Sequence, residues 1–484
     1  DPNIATANVS QTWMSVMYDT LIDYDETGQL VGDIAQTWTA SPDLKTYTFT
    51  VRDNAKFSDG SSVTAADVKF SLDRMRQGTP MKGLLASVTD VTVADPHTVT
   101  VSLSAPSRTL PLTLSRAGNA GILSQAAVTA SSDYFAKPTA TSGFYMMESY
   151  APKDQMTFTA NPYYWRAGYP KTKNLQVTFS EDQNTYAAAI ESGSADIGNI
   201  GYADAQRLKK EGKLQVFQSD VLNPNFWGWD ITKPPFNSQL VRQAFAYALD
   251  RQGAIDACWF GTGAVTYGSL LRPWDPNYIA INTYQLDRTA ALQKAGALLD
   301  QAGWKLNSSG QRVASGVPGV KDGTIFTVKV PYEANWAAAE CNTLLLQATM
   351  KQIGLDIQPD KYDPAAFWGD VGKDSFLMWH GGAAASGADD LYLNWFDSKG
   401  AITVYTTKLN DPAIDSLVNS ALQASDPAVA KTQFGALETW QASYLPILIW
   451  GYQFPQIAMT QNVKGYYSRP DSMTRWLENI TIQQ

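Results

Sequence analysis

The stretch Thr324-Ile-Phe-Thr-Val-Lys-Val330 and the residues after it decide the fold class of this chain. The stretch is rich in β-branched and apolar side chains, which predicts a β-strand. Apolar residues then recur at helical spacing from about Trp336 to Ile353, and Gly354 ends the predicted helix because glycine readily takes a left-handed conformation. Leu355–Gln358 predict a second strand. The succession of strand, helix and strand indicates an α/β fold.

The rest of the chain mixes strands and helices in the same way. In Thr46-Tyr-Thr-Phe-Thr-Val-Arg52, apolar residues alternate with threonines, which predicts a strand with one apolar face. Thr64-Ala-Ala-Asp67 resembles a capping box at the start of a helix. Asp411-Pro412 and Asp426-Pro427 each place an N-cap candidate before a proline at the first helical position. Further elements are predicted from the helical stripe Val241, Ala244, Phe245, Ala248 and Leu249, from the stripe between Leu292 and Ala302 that stops at Gly303, and from the strand segments Thr98–Leu103, Phe376–Trp379 and Leu445–Trp450.

Length and composition exclude several classes of protein. The 484 residues are enough for roughly three domains, or one large two-lobed body, at about 150 residues per domain. A hydrophobic fraction of 44% is typical of a globular protein and argues against disorder. Lys and Arg number 37 against 46 Asp and Glu, a net charge of −9 with no basic run, so nucleic acid and anionic membranes are not expected partners. The longest apolar run, Tyr444–Trp450, is far shorter than the ~20 residues that span a bilayer.

The sequence contains few of the residue patterns that carry catalysis. It has no Gly-x-Ser-x-Gly elbow and no phosphate-binding loop. Cys258 and Cys341 could form one disulfide, but their spacing supports no zinc site, and no metal or other cofactor is expected. Asp389 and Asp390 are adjacent and point in different directions, so they predict a solvated turn or N-cap rather than a paired-carboxylate site.

The two histidines have different settings. His97 lies in a predicted turn, where a solvated loop side chain is expected. His380 follows a predicted strand and precedes a glycine pair, so it either lines a ligand cleft or is a satisfied structural histidine. The residues leave these two alternatives open.

Aromatic residues are unusually frequent, with 15 Trp, 23 Tyr and 18 Phe making up 12% of the chain. Indole rings bury large areas and also offer flat faces to sugars, aromatic groups or cations. In Trp227-Gly228-Trp229 both rings fall on one face of an extended segment. They form a stacking platform if that face borders a cleft, and core packing is the alternative for any single tryptophan.

A series of short motifs runs along essentially the whole chain. They are Tyr18-Asp-Thr-Leu-Ile22, Ala35-Gln-Thr-Trp38, Thr48-Phe-Thr-Val-Arg52, Phe57-Ser-Asp-Gly60, Thr64-Ala-Ala-Asp-Val-Lys-Phe-Ser71, Gly143-Phe-Tyr145, Asn161-Pro-Tyr-Tyr-Trp165, Ser192-Gly-Ser-Ala-Asp196, Pro235-Phe236, Val241-Arg-Gln-Ala244, Ala248-Leu-Asp-Arg251 and Ala302-Gly-Trp304. In this order they resemble the dipeptide- and oligopeptide-binding family of ABC-importer solute-binding proteins, extracellular solute-binding protein family 5. Each motif is weak alone, but their ordered sum is specific.

The resemblance implies an α/β, two-lobed periplasmic-binding-protein clamshell, type II-like, with an extra subdomain inserted in lobe I. It assigns residues 1–38, 161–262 and 461–484 to lobe I, 39–160 to the inserted subdomain, and 263–460 to lobe II. Such proteins are not enzymes. They hold a small polar solute in a closed cleft between the lobes and deliver it to an ABC permease in the membrane.

The resemblance also implies a periplasmic or extracellular location, with anchoring by a lipid left open, and we expect a monomer. A secreted glycoside-cleaving enzyme is the alternative function, based on the aromatic content and acidic charge.

One departure from the family concerns the ligand. In members that grip a peptide, the strand corresponding to Phe376–Trp379 is followed by an aspartate that holds the ligand's α-ammonium group, whereas here Gly382 stands near that place. Burying an ammonium without a counter-charge is costly. The departure favours a sugar-like or opine-like solute, such as an oligosaccharide or an opine-like conjugate, over a peptide.

By position in the family pattern, both lobes supply predicted ligand contacts. The predicted ligand-binding residues are Thr6, Asn8, Gln11, Tyr202, Asn225, Trp227 and Trp229 from lobe I, and Trp368, Trp379, His380, Gly381 and Trp395 from lobe II.

Overall fold

The chain forms one unit, leaves it at Val221 to build a second, and returns to the first at Pro455. Unit 1 comprises Asp1–Val221 and Pro455–Gln484, and unit 2 comprises Leu222–Phe454. This computed structural model describes all residues except 5–7, 78–79, 117, 181–183, 220, 222, 274, 374, 383–386, 401–402, 404–407, 470, 472 and 484.

Strands occur throughout the described residues. In chain order they are β1 (Ile22–Tyr24), β2 (Leu30–Gly32), β3 (Ala35–Ala40), β4 (Thr46–Val51), β5 (Val88–Asp95), β6 (Thr98–Leu103), β7 (Tyr145–Ala151), β8 (Gln155–Ala160), β9 (Asn174–Thr178), β10 (Ile197–Ile200), β11 (Gln215–Gln218), β12 (Pro224–Trp229), β13 (Gly263–Val265), β14 (Trp304–Leu306), β15 (Arg312–Ala314), β16 (Thr327–Glu333), β17 (Asp356–Tyr362), β18 (Met378–Gly382), β19 (Leu448–Gln453), β20 (Gln456–Met459), β21 (Val463–Lys464) and β22 (Thr481–Ile482).

Helices are more frequent in the second half. The α-helices are α1 (Asn8–Met17), α2 (Ala65–Arg76), α3 (Leu110–Leu114), α4 (Gln125–Ala130), α5 (Asn184–Glu191), α6 (Tyr202–Glu211), α7 (Gln239–Ala248), α8 (Arg251–Cys258), α9 (Arg288–Gln301), α10 (Ala337–Lys351), α11 (Pro364–Gly372), α12 (Ala388–Trp395), α13 (Pro412–Gln423) and α14 (Pro427–Tyr444), and 3₁₀ helices span Pro80–Leu85 and Arg475–Asn479.

Unit 1 contains an antiparallel sheet in the strand order β3-β4-β6-β5. Tyr47, Phe49 and Val51 of β4 are buried on one face, as their alternation with threonine predicts. The predicted capping box is present at the start of α2, where the Thr64 backbone N–H donates to Asp67 Oδ2 at 3.0 Å. Two further antiparallel sheets have the orders β7-β8-β9 and β10-β20-β11, so a strand of the returning segment completes the second of them.

A buried ion-pair network ties the returning segment to the start of unit 1. The guanidinium of Arg475 contacts Asp19 at 2.9 Å, Asp23 at 2.8 Å and Asp33 at 3.1 Å. Arg469 lies 2.6 Å from the other oxygen of Asp23. Because buried charges need partners, these contacts fix the returning segment against the first strands of the chain.

Unit 2 is built on an antiparallel sheet in the order β13-β19-β12-β18, and every residue of β12 and β19 is buried. One face packs on a core that includes Leu391 and Trp395 of α12 and Phe434 of α14. On the other face Trp229 packs against Phe245 of α7, with ring centroids 6.2 Å apart. The sheet therefore lies between layers of helices.

The β-α-β unit predicted from residues 324–358 is present. β16 and β17 are parallel and are joined through α10, and Gly354 has the expected positive φ of 83°. Gly303 follows the predicted helix α9 in the same way, with φ of 88°. Asp411 and Asp426 cap α13 and α14 by accepting from backbone N–H groups at 3.0 and 2.8 Å.

The division of the chain differs from the predicted one. Residues 222–262, expected in lobe I, lie in unit 2, where β12 pairs with β18 and β19. Residues 455–460, expected in lobe II, lie in unit 1, because β20 pairs with β10 and β11. Residues 39–160 lie within unit 1, and their separation as an inserted subdomain stays a prediction.

Candidate functional site

One face of the β12–β18 pair carries a group of polar and aromatic side chains. In this antiparallel pair Trp227 lies directly opposite His380, and Asn225 lies opposite Gly382. Residues that face each other across a ladder, and residues two apart along a strand, share one face of the sheet. The pairing therefore brings Asn225, Trp227 and His380 together beside Gly382.

His380 is the centre of this group. Its Nε2 lies 2.9 Å from Asn225 Oδ1 and 3.3 Å from Asn342 Nδ2. Burial lowers the pKa of the His380 imidazole to about 3, so the ring is neutral at physiological pH. When Nε2–H donates to Asn225 Oδ1, Nδ1 carries a free lone pair and acts as an acceptor.

Helix α10 supplies the remaining members of the group. Asn342 lies in its second turn, and Trp336 occupies its N-cap position. The half-buried Trp336 ring lies edge-on to His380, with centroids 5.0 Å apart, and the buried Trp227 ring lies 4.8 Å from the imidazole. These residues form the His380 site, defined as Asn225, Trp227, Trp336, Asn342, His380 and Gly382.

The Trp336 ring leaves no room for a side chain at position 382, which is a glycine. A Cβ atom at position 382 would lie 2.7 Å from Trp336 Cη2, closer than such contacts occur, and 3.6 Å from Asn225 Nδ2. A side chain there would displace the indole. The backbone of Gly382, the edge of Trp336 and the amide of Asn225 thus border the same small region.

Several polar atoms of the site are buried without a hydrogen-bond partner among the described residues. They are Asn225 Nδ2, Trp227 Nε1, Asn342 Oδ1 and His380 Nδ1. Buried polar groups are nearly always hydrogen-bonded, and an unsatisfied one costs about 1–3 kcal/mol. The set contains donors and acceptors, so hydroxyl or amide groups of a bound solute can satisfy them.

Three of the predicted site residues face the opposite side of the sheet. Trp379 lies across Gly228, where an added Cβ would be 2.2 Å from the indole, and Gly381 packs against the Phe226 ring. Trp395 meets Phe226 edge-on with centroids 5.1 Å apart. Trp379 and Trp395 are part of the apolar core beneath α12–α14, so the structure does not bring them to His380.

Trp229 and Trp368 also have structural partners. Trp229 shares the face of Trp227, but it stacks on Phe236 at 5.4 Å and its indole N–H donates to the Leu445 carbonyl at 3.0 Å. Trp368 packs at the edge of the core beneath α12–α14. Burial raises the pKa of Glu333, and a hydrogen bond from Trp368 opposes that shift.

The remaining predicted contacts belong to unit 1. Thr6 and the side chain of Asn8 lie outside the described residues. Gln11 lies in α1, and its Cβ closely approaches Gly118. Tyr202 is the first residue of α6, and burial raises the pKa of its hydroxyl. The participation of these residues in ligand binding stays a prediction.

Trp336 and Asn342 are not among the site residues predicted from the sequence. Both lie at or within the predicted helix 336–353, where the apolar stripe draws attention to its core-facing residues. Their contacts with His380 are tertiary and have no local signal. The other histidine, His97, has a side chain 44% exposed beside Asp53, as its predicted turn suggests.

The described part of the chain contains no metal-binding arrangement of three or more His, Cys, Asp or Glu residues. Within the same described ranges, no helix has the length and apolar character needed to cross a membrane.

Comparison with known proteins identifies the family. Residues 29–403 match "Bacterial extracellular solute-binding proteins, family 5 Middle". The probable D,D-dipeptide-binding periplasmic protein DdpA of Escherichia coli K12 is 26% identical over 97% of this chain and 89% of its own length.

Solved structures of the same fold include two binding proteins with bound ligands. The binding protein AgaA in complex with agropinic acid, from A.tumefacien R10, superposes with a TM-score of 0.84 at 22% identity, over 100% of this chain and 96% of its own. The oligopeptide-binding protein AppA from Bacillus subtilis, in complex with a nonapeptide, superposes with a TM-score of 0.85 at 20% identity, over 100% of this chain and 96% of its own.

These likenesses confirm the predicted fold class, an α/β two-lobed periplasmic binding protein. The relatives are binding proteins, and the alternative of a glycoside-cleaving enzyme gains no support from them. The chain belongs to the bacterial extracellular solute-binding proteins of family 5, and it is a periplasmic or extracellular solute receptor of an ABC importer, not an enzyme.

Proposed function

We propose that this receptor binds its solute at the His380 site through uncharged hydroxyl or amide groups, as a sugar-like or opine-like solute presents them. The observation that carries the proposal is the neutral, buried imidazole of His380 between two asparagine amides. The solute passes from the receptor to an ABC permease.

The electrostatics of the site favour an uncharged group. Burial lowers the pKa of His380, and the groups that contact its Nε2 among the described residues are uncharged amides. The groups within hydrogen-bonding distance of Nε2 are the amides of Asn225 and Asn342, and a neutral ring either donates to Asn225 Oδ1 or accepts from Asn342 Nδ2. An ammonium group buried there would lack a counter-charge, at a cost on the order of several kcal/mol.

The packing at Gly382 points to the same class of solute. In the family resemblance, peptide-binding members carry an aspartate near this place. Here the Trp336 ring lies so close to Gly382 that a carboxylate side chain could not stand there without moving it. A half-buried indole edge with neighbouring amide groups suits a flat or hydroxylated solute, because the ring supplies apolar contact and the amides supply orientation.

The known ligands of similar proteins span both possibilities. One solved structure of the same fold holds agropinic acid, and the E. coli relative is named for D,D-dipeptides. We place the present chain with the opine-like or sugar-like binders because its site lacks the anchoring charge. An oligosaccharide ligand and a monomeric state are further parts of the proposal.

A titration panel tests the proposal. Maltotriose, agropinic acid, D-Ala-D-Ala and glutathione would each be titrated by calorimetry and by thermal shift, because a ligand that binds the native state raises the unfolding temperature. We expect stabilisation by maltotriose or agropinic acid. Stabilisation by the peptides alone would overturn the assignment.

A charge introduced into the site provides a matched test. Asn342→Asp places a carboxylate beside His380, and we expect roughly tenfold weaker binding of the solute that binds best in the panel, because a charge is buried in a site that otherwise contains uncharged groups. Asn419→Asp makes the same chemical change on the exposed face of α13 and serves as the control. Equal affinity in both variants would remove the His380 site from the binding surface.

A further inference from the structure

We infer that the disulfide between Cys258 and Cys341 positions Asn342 and Trp336 against His380, which makes the solute affinity depend on the oxidised state of this bond. The inference rests on the proposed function of the His380 site. The disulfide joins the last residue of α8 to the first half of α10, with the Cα atoms 5.5 Å apart.

Cys341 lies in α10 between the two residues of this helix that contact His380, Trp336 and Asn342. Asn342 follows Cys341 directly, and its Nδ2 lies 3.3 Å from His380 Nε2. Trp336 precedes Cys341 at the N-cap of the helix, and its ring lies 5.0 Å from the imidazole. A shift of this part of α10 therefore moves both groups relative to His380.

The far end of the disulfide is fixed to the central sheet of unit 2. Trp259, directly after α8, stacks on Trp450 of β19 with centroids 4.8 Å apart. Gly263 of β13 packs closely against Trp259 and Ile255. Because β19 pairs with β12, and β12 with β18, the sheet that carries His380 also holds α8.

The first half of α10 buries little apolar surface. Its buried side chains there are small or polar: Ala338, Ala339, Asn342 and Thr343. The large apolar groups, Leu346 and Met350, are buried in the second half. Apolar burial scales with area, so it anchors the second half of the helix, while the disulfide and the exposed ion pair between Glu340 and Lys361 constrain the first half.

Reduction is therefore expected to release the first half of α10 while unit 2 stays folded. Asn342 and Trp336 would withdraw from His380, and the Asn225 contact would remain. We expect roughly tenfold weaker solute binding, the size of the effect of losing a hydrogen bond and part of a ring contact.

Histidine-selective ¹⁵N labelling gives a readout that needs no ligand. The chain has two histidines, so His97→Gln assigns the signals of His380. We expect the ring ¹⁵N signals of His380 to shift after reduction with a phosphine and in the double variant Cys258→Ser/Cys341→Ser, and to return when the reduced wild-type protein is reoxidised. Unchanged His380 signals in folded, reduced protein would overturn the inference.

A matched control separates positioning from general loss of stability. Val418→Ala removes buried volume from the core beneath α12–α14, away from α10, and lowers the unfolding temperature by cavity formation. It should leave the His380 signals in place, and an equal shift in this variant would overturn the positioning role.

Agropinic acid and maltotriose, titrated into oxidised and reduced protein, test the proposed function separately. If the His380 signals move on reduction while the affinity of a solute that binds stays the same, the site does not bind that solute, and the proposed function fails although the positioning holds.

Discussion

Glu438 gives a prediction whose size follows from the structure. Its fully buried carboxyl group accepts hydrogen bonds from the backbone N–H of Leu270 at 2.7 Å, from that of Leu271 at 3.3 Å, and from the hydroxyl of Tyr392. Burial raises the pKa of Glu438 from 4.5 to about 7, although the hydrogen bonds from Tyr392, Leu270 and Leu271 oppose the shift. Between pH 4.5 and about 7, Glu438 therefore holds a proton in the folded state that it has already released in the unfolded state.

The sign of the pH dependence follows from this difference. For a group whose pKa is raised on folding, the stabilising contribution is complete below the unfolded pKa of 4.5 and is lost as the pH rises through the folded value of about 7. A shift of this size corresponds to roughly 3 kcal/mol, of which about 2–3 kcal/mol falls between pH 5 and 8.5.

The assay compares wild type with Glu438→Gln in urea unfolding between pH 5 and 8.5, followed by tryptophan fluorescence. The variant keeps the shape of the side chain but does not titrate at this position. Subtracting its free energy of unfolding from that of wild type therefore cancels the contributions of other titrating groups, such as Glu478. We expect the stability of wild type relative to the variant to fall by about 2–3 kcal/mol across this range. A difference that is constant or rises with pH would refute the reasoning.

Three further changes have expected outcomes. Gly228→Ala would place a Cβ against the Trp379 ring, and we expect a loss of about 1–3 kcal/mol in the free energy of unfolding, measured in urea. If the variant were as stable as wild type, the observed packing would be wrong. Trp336→Ala should weaken binding of the solute that binds best in the panel by about 1–3 kcal/mol, measured by calorimetry. The unfolding temperature of the variant should stay near that of wild type. Unchanged affinity would contradict a ligand contact by this ring. Replacing Cys258 and Cys341 with serine should lower the free energy of unfolding by roughly 4 kcal/mol, because the disulfide spans a sequence separation of 83. Equal denaturation midpoints with and without the disulfide would disprove this stabilisation.

Local patterns predicted the elements that depend on neighbouring residues. The capping box at Thr64 and the aspartate caps of α13 and α14 form as expected, because each involves contacts within a few residues. Strand limits were less accurate: the segment predicted at Phe376–Trp379 is observed as Met378–Gly382. The extent of a strand depends on its partner, here β12, and the pairing register is not encoded in a single segment.

The site was harder to predict for the same reason. The period of two correctly placed Trp227 and Trp229 on one face, but which helix covers that face depends on residues far away in the chain. Asn225 and His380 are 155 residues apart, and Asn342 reaches them from another element. Trp379 is a predicted contact by its position in the family pattern, yet adjacent strand residues point to opposite faces, and the Trp379 ring lies in the core.

The Arg475 network constrains the order in which this protein can mature. The guanidinium lies 442 to 456 positions after the three carboxyl groups that it contacts. During synthesis all of unit 2 is therefore made while Asp19, Asp23 and Asp33 still await their counter-charge. Until Arg475 has been added, the first strands of unit 1 lack the cation that these buried carboxyl groups contact.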